Sequence, residues 1–212
     1  MRYAPGHKEQ SRERILRAAA DLFRRRGIAA TGVDAVMAAA GLTPGGFYAH
    51  FRSKDGLIAA AVTTAGARAR ERWLAPYAEL TGAAWARSFL AHYLSEEHRD
   101  DRATGCFVPS LAGEVARTSP APRRNFEQGL RGFFALVESH AREAGGADPR
   151  GRALSAVALC VGGVLLSRVV LDRELSREIL EACRASAEGL FEPAKDPAPR
   201  RKPVRPEQKE RR

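Results

Sequence analysis

Between Arg26 and Leu57 the chain carries helix stop and start signals so closely spaced that only very short helices fit between them. Ahead of this stretch, Ile15, Leu16, Ala19, Leu22 and Phe23 recur on one face of a helix running from His7 to Arg26, and Gly27 ends it. Thr31 offers an N-cap for a second helix over Val33 to Ala40, with Asp34 near its positive end, and Gly41 stops that helix in turn. Thr43 followed by Pro44 suits an N-cap and first helical position, because the ring presets φ where the missing N–H costs nothing. This predicts a third short helix to about His50. Ser53 caps a fourth, which continues to about Trp73. A long helix, a short helix, a glycine turn and a second short helix can pack only as a small three-helix head, with helix-turn-helix spacing over Thr31 to His50.

The remainder reads as longer helices at Ala83 to about Glu97, Cys106 to Arg117, Pro122 to Ala144, Pro149 to Leu171 and Ser176 to Phe191. Residues 100–105, 118–121, 145–148 and 172–175 are the expected loops. With β-branched runs scarce, the fold class is all-α: an N-terminal helix-turn-helix domain (residues 1–60) followed by a helical bundle (61–192). The last twenty residues hold five prolines and almost no large apolar side chain, so 193–212 is expected to be a disordered basic tail.

Charge separates these parts. Residues 1–60 carry a net +5, residues 61–192 are neutral and residues 193–212 carry another +5, which places the basicity at the two ends where a polyanion would be gripped. No uninterrupted apolar run reaches the ~20 residues of a bilayer span, and the N-terminus lacks the apolar segment of a signal peptide. A cytoplasmic protein without membrane contact is expected. Three cysteines without CxxC spacing argue against both a disulfide framework and a zinc site, so neither metal nor cofactor is expected.

The pair Gly45-Gly46 weakens the third helix in its first turn, at about 1 kcal/mol per glycine relative to alanine. In a helix-turn-helix the second helix enters the major groove N-terminus first, and missing side chains there would let backbone N–H groups approach phosphates or base edges. A loose turn before a core phenylalanine is the plainer alternative.

The run Leu22 to Gly27, then Thr31-Gly-Val-Asp-Ala-Val36, then Ala40-Gly-Leu-Thr-Pro-Gly-Gly-Phe-Tyr-Ala-His-Phe-Arg-Ser-Lys-Asp-Gly-Leu57 resembles the DNA-binding domain of TetR-type transcriptional regulators. The resemblance covers the first fifty to sixty residues. It implies a homodimer that binds a palindromic double-stranded operator through its N-terminal domain, and a C-terminal domain that binds a small-molecule effector. Carried over by position, Thr31, Thr43, Pro44, Gly45, Gly46, Tyr48, His50 and Lys54 would face DNA, while Phe47 and Phe51 alternate with them toward the core. A phenol, an imidazole and an ammonium are all donors to phosphate. With Ala49 and the two glycines in the reading region, direct base readout is thin and DNA shape would carry part of the specificity. The cluster Arg24-Arg25-Arg26 reads equally as a phosphate contact or a solvated face.

Aromatic stripes mark the expected effector site. Trp85, Phe89 and Tyr93 share one helix face, as do Phe126, Leu130, Phe133 and Val137; with Trp73, Tyr77 and Phe107 they suggest an apolar or aromatic effector, although each stripe alone also fits plain core. Candidate ligand residues are Trp73, Phe89, Tyr93, Cys106, Phe107, Phe126, Leu130 and Phe133. Cys106 stands at a predicted helix N-terminus, where a thiolate is stabilised, so it is either a sensor of electrophiles or oxidants or a small residue packing a helix start. For the dimer, Leu159, Gly162, Gly163 and Leu166 on one helix and Ile179 and Cys183 on the next form apolar and small-residue stripes suited to a four-helix interface.

Two other classes remain to be distinguished. A cysteine enzyme pairing Cys106 with His92 or His98 would show turnover, but no ordered spacing supports it. A basic protein held by its tail would bind nucleic acid without sequence preference and with steep salt dependence.

Overall fold

The computed structural model describes residues 5–102 and 104–192, and no strand occurs among them. The tail expected at 193–212 lies outside these residues. The helices are α1 (Pro5–Arg26), α2 (Val33–Ala39), a 3-10 helix (Pro44–Ala49), α3 (Lys54–Leu74), a 3-10 turn (Ala75–Tyr77), α4 (Gly82–Tyr93), α5 (Glu96–Asp100), α6 (Phe107–Val115), α7 (Pro120–Glu143), α8 (Pro149–Val169) and α9 (Arg173–Gly189).

The sequence signals that end α1 and α2 act as expected. Gly27 and Gly41 have φ of +84° and +66°, a region open to glycine and costly for other residues. Ser53 caps α3 by accepting from the Gly56 N–H at 3.1 Å. Thr31 does not cap α2. Gly32 takes that place, and the Thr31 hydroxyl donates instead to the Gly27 carbonyl at 2.7 Å.

The elements depart from the sequence reading at several points, α7 among them, which starts at Pro120 within the loop expected at 118–121. The third short helix is 3-10 rather than α, consistent with six residues that include a proline and two weak helix formers. The helix expected at Ala83 to Glu97 breaks at Leu94, because Ser95 opens α5 by accepting from the His98 N–H at 3.1 Å. Residues 173–175 are helical rather than loop, since the Asp172 carboxylate accepts from the N–H groups of Glu174 and Leu175 and so starts α9 early.

Two apolar cores result. The first joins Ile15, Phe23, Met37, Phe47, Phe51 and Leu57 of the N-terminal head with Phe107 and Leu111 of α6 and Phe126 of α7. The second gathers Trp85, Phe89, Tyr93, Val157, Val164 and Phe191. A division at residue 60 therefore falls inside α3, a helix that runs unbroken from the head into the bundle.

Helix α8 is long and apolar enough to cross a membrane by length and composition. Here one face packs inside the bundle through Ala153, Val157, Cys160 and Val164. Its outer face leaves Leu154, Leu165, Leu166 and Val169 exposed, together with Leu171 and Leu175 beyond it.

Candidate nucleic-acid interface and effector cavity

The reading segment is held from behind and bare in front. Phe47 and Phe51 are buried with rings 5.8 Å apart, anchoring the 3-10 helix on the head's core. Tyr48, between them in sequence, is 77% exposed. Thr43, Pro44 and Gly45 are exposed, and the Thr43 hydroxyl makes no capping bond, so it is free for an outside acceptor. Gly45 and Gly46 do not have positive φ. A Cβ on Gly45 would meet nothing within 4 Å, and one on Gly46 would make ordinary contacts with Met37 and Thr43 at 3.6 and 3.9 Å. Neither backbone conformation nor packing within this chain demands glycine at these two positions.

His50 is half-buried and its Nδ1 has no hydrogen-bond partner. Burial first, then the nearby Lys8 and Arg12 cations of α1, holds its pKa below the ordinary value. Lys8 and Arg12 thus stand beside His50, an electropositive neighbourhood drawn from both ends of the head. Lys54 opens α3 close by. Arg14 clamps the helix-turn-helix by donating to the carbonyls of Ala40 and Gly41, the open end of α2. Sequence inspection missed these α1 residues, because distances of 26 to 42 positions along the chain leave no local pattern.

Two expectations fail here. Thr31 is only 1% exposed and its hydroxyl is already engaged, so it does not face DNA. Arg24 is largely buried and paired with Asp21, with its Nε unpartnered, which removes it from the phosphate-facing candidates.

All eight side chains singled out for a ligand lie on the wall of one cavity of about 360 Å³ between α3, α4, α6 and α7. Helix α3 adds residues that sequence inspection overlooked, among them Val62, Gly66 and Arg70, and α7 adds Asn125, Gly129 and Gly132. Small residues on both helices leave the slot open. Their signal was available as glycines and alanines recurring at helical spacing opposite an aromatic stripe. Trp85 stands behind this wall, stacked between Phe89 at 4.8 Å and His140 at 4.1 Å.

Trp73 on the cavity wall lies between His92 (4.4 Å) and His98 (4.2 Å). His98 is 1% exposed; its Nδ1 sits 2.6 Å from the Tyr93 carbonyl, and its Nε2 accepts from the Cys106 N–H at 3.0 Å. Only a neutral ring with hydrogen on Nδ1 satisfies both contacts, and burial lowers the pKa to about 4. Cys106 is the N-cap of α6, as expected, but its thiol is not activated. Burial pushes its pKa up, outweighing the nearby polar groups that lower it.

Helix α6 joins the cavity to the head. Phe107 and Val108 at its start line the cavity, and near its far end the Glu114 carboxylate accepts from the Ala29 N–H at 2.8 Å. A Cβ at Gly27 would lie 2.5 Å from that carboxylate, so glycine there both makes the turn and admits the contact.

On the opposite side, Gly163 faces Leu94 and Cys183 of its own chain, and a Cβ would come within 2.8 and 3.0 Å of them. This corrects the placing of Gly163 and Cys183 on an outer stripe: they pack α8 against α9 internally. One residue further round the helix, Gly162 meets nothing within 4 Å and lies with the exposed Leu165 and Leu166. Leu159 and Ile179 are half-buried at the edge of this face.

The sequence profile of bacterial regulatory proteins of the tetR family matches residues 15–61, the head described above. The uncharacterized HTH-type transcriptional regulator YerO of Bacillus subtilis (strain 168) is 36% identical over 52 residues, 24% of this chain but only 18% of YerO. The HTH-type transcriptional regulator LmrA of the same organism is 28% identical over 161 residues, 74% of this chain and 86% of LmrA. A TetR transcriptional regulator from Chloroflexus aurantiacus J-10-FL superposes with a TM-score of 0.72 at 26% identity, covering 86% of this chain and 94% of that one. The head over residues 15–61 thus matches the tetR family of bacterial regulatory proteins, and the helical bundle behind it has the fold of TetR-type transcriptional regulators.

Proposed function

We propose that the protein is a ligand-responsive repressor that binds a palindromic operator as a homodimer and leaves it when a small apolar or aromatic molecule occupies the cavity. The observation that carries this reading is that two of the helices walling the cavity, α3 and α6, also support the head. A molecule wedged between α3 and α7 therefore acts on the helix that begins at Lys54 beside the reading segment and on the helix that holds Ala29. Operator and effector would then oppose each other reciprocally, since coupling free energy is symmetric between sites. The functional division is a DNA-reading head over residues 1–60 and an effector and dimer body over 61–192. Its place of action is the cytoplasm, where the operator is.

In this reading Thr43, Pro44, Gly45, Gly46, Tyr48, His50 and Lys54 meet DNA, with Lys8 and Arg12 adding charge. Burial raises the Cys106 pKa, which favours a non-covalent occupant over a thiol-reactive one. The test is fluorescence anisotropy on DNA from upstream of the protein's own gene, against a shuffled control at physiological salt. A preference of roughly a thousandfold or more is expected. Equal affinity for both at that salt, with a steep ionic-strength dependence, would favour non-specific binding instead.

The glycine pair gives a second test with effects of opposite sign. Gly45→Ala is expected to stabilise the fold by roughly 0.5 to 1 kcal/mol, since its Cβ meets nothing. The same methyl group is expected to weaken operator binding about tenfold or more if the backbone approaches DNA closely there. Thermal unfolding and anisotropy on the same sample decide it. A variant that is more stable and binds DNA unchanged removes Gly45 from the interface.

A further inference from the structure

Resting on the effector reading above, we infer that the cavity selects an organic monoanion: a carboxylate on an aromatic or alkyl body, with its charge held at the mouth by Arg70. Among the described residues Arg70 is the only charged one lining the cavity, and no aspartate or glutamate of theirs lies on the wall. It is exposed and forms no ion pair with a carboxylate among the described residues.

The polarity of the cavity runs in one direction. Trp73, Phe89 and Tyr93 on its wall are buried, whereas Thr63, Arg70, Gln128 and Gly129 are exposed at the opening between α3 and α7. An apolar body therefore buries its surface inward while its charged end stays at the rim, half in water. There a guanidinium offers paired donors matched to the two oxygens of a carboxylate. A cationic ligand of the same shape would meet Arg70 with no compensating carboxylate, and a neutral amide would forgo the ion pair.

The buried polar atoms add to the same bias. The Trp73 Nε1 has no acceptor, and the Tyr93 hydroxyl lies beside the Cys106 thiol. Asn125 directs its amide N–H groups to the Ala59 carbonyl and the Thr63 hydroxyl at 3.1 Å each, so its donors are already spent. The charge on the cavity wall is positive among the described residues.

The experiment uses the full-length protein and three probes of one shape: biphenyl-4-carboxylate, biphenyl-4-carboxamide and the ammonium form of biphenyl-4-methylamine. Binding is followed by tryptophan fluorescence, for which Trp73 on the wall is the reporter, and by calorimetry. The carboxylate is expected to bind roughly five- to tenfold tighter than the amide, the span between an exposed ion pair and a charged hydrogen bond, and the ammonium form weakest. Raising ionic strength should shrink the preference. Arg70→Gln, an exposed substitution that spares the fold, should abolish it. Equal binding of acid and amide, or a preference that survives Arg70→Gln, overturns the charge assignment and leaves the cavity standing as an effector site. Failure of all three probes to bind overturns both.

Discussion

Leu166→Glu is expected to convert the protein to a monomer and to lower its affinity for a palindromic operator by roughly a thousandfold, the gap between specific and non-specific binding. Leu166 is 56% exposed, so the substitution removes little packing within the chain. In the proposed homodimer the same residue would lie in the interface. It shares its helix face with Leu154, Leu165 and Val169, and Gly162 leaves a flat place for a partner helix. A contiguous exposed apolar patch of this kind marks an association surface, and a carboxylate there costs several kcal/mol per interface once dehydrated. The loss at the operator follows because one reading head grips only one half-site, and the gain from binding both halves with one particle disappears. Light scattering at micromolar concentration and anisotropy on operator DNA measure the two effects. Leu171→Ser, at a side chain that is 99% exposed, is a milder companion should the glutamate variant aggregate. A dimer that persists in both variants would move the interface elsewhere.

How far the sequence reveals this molecule depends on the range of the interactions involved. Gly27, Gly41, Pro44 and Ser53 act through their own backbone or through neighbours a few residues away, so the head could be read from local signals. The aromatic stripes predicted the cavity wall because helical periodicity decides which side chains share a face. Gly163 and Gly162 show the limit of that rule: one residue is about 100° of helix, enough to exchange an internal contact for an outer face. The Thr31 cap failed because the hydroxyl is turned back to donate to the Gly27 carbonyl and Gly32 stands at the cap position. The contacts that tie the parts together were not legible at all. Arg14 to Ala40, Glu114 to Ala29 and Arg168 to the carbonyls of His98 and Arg99 join positions 26 to 85 apart. No periodicity encodes such pairs. The raised pKa of Cys106 has the same origin, since a helix N-terminus is visible in sequence whereas burial by other helices is not.

His98 carries the second large effect, an acid lability expected to cost about 3 kcal/mol of folding stability as pH falls from 6.5 to 4. Its ordinary pKa of 6.5 is lowered to about 4 in the fold, chiefly by burial, with Arg168 and His92 nearby adding to the effect while the Tyr93 carbonyl and Asp101 oppose it. Above pH 6.5 neither the folded nor the unfolded state binds the proton, and the contribution is complete. Between 6.5 and 4 the unfolded chain takes up the proton and the folded one does not, so stability declines with falling pH; below 4 both are protonated and the decline stops. The shift of about 2.5 units corresponds to that free energy at 1.36 kcal/mol per unit. Protonation would place a donor on Nε2 against the Cys106 N–H and so break the bond that fixes the start of α6. Because α6 carries Glu114 to the head, acid should loosen the cavity wall and the support of Ala29 together. Urea unfolding of the wild type and of His98→Gln at pH 7 and pH 4.5 separates this residue from the carboxylates that also titrate. The variant should be clearly less stable at pH 7, and the difference should narrow by about 2 to 3 kcal/mol at pH 4.5. A difference that stays constant with pH would mean that His98 has the same pKa in the folded and unfolded states and that another group sets the acid response.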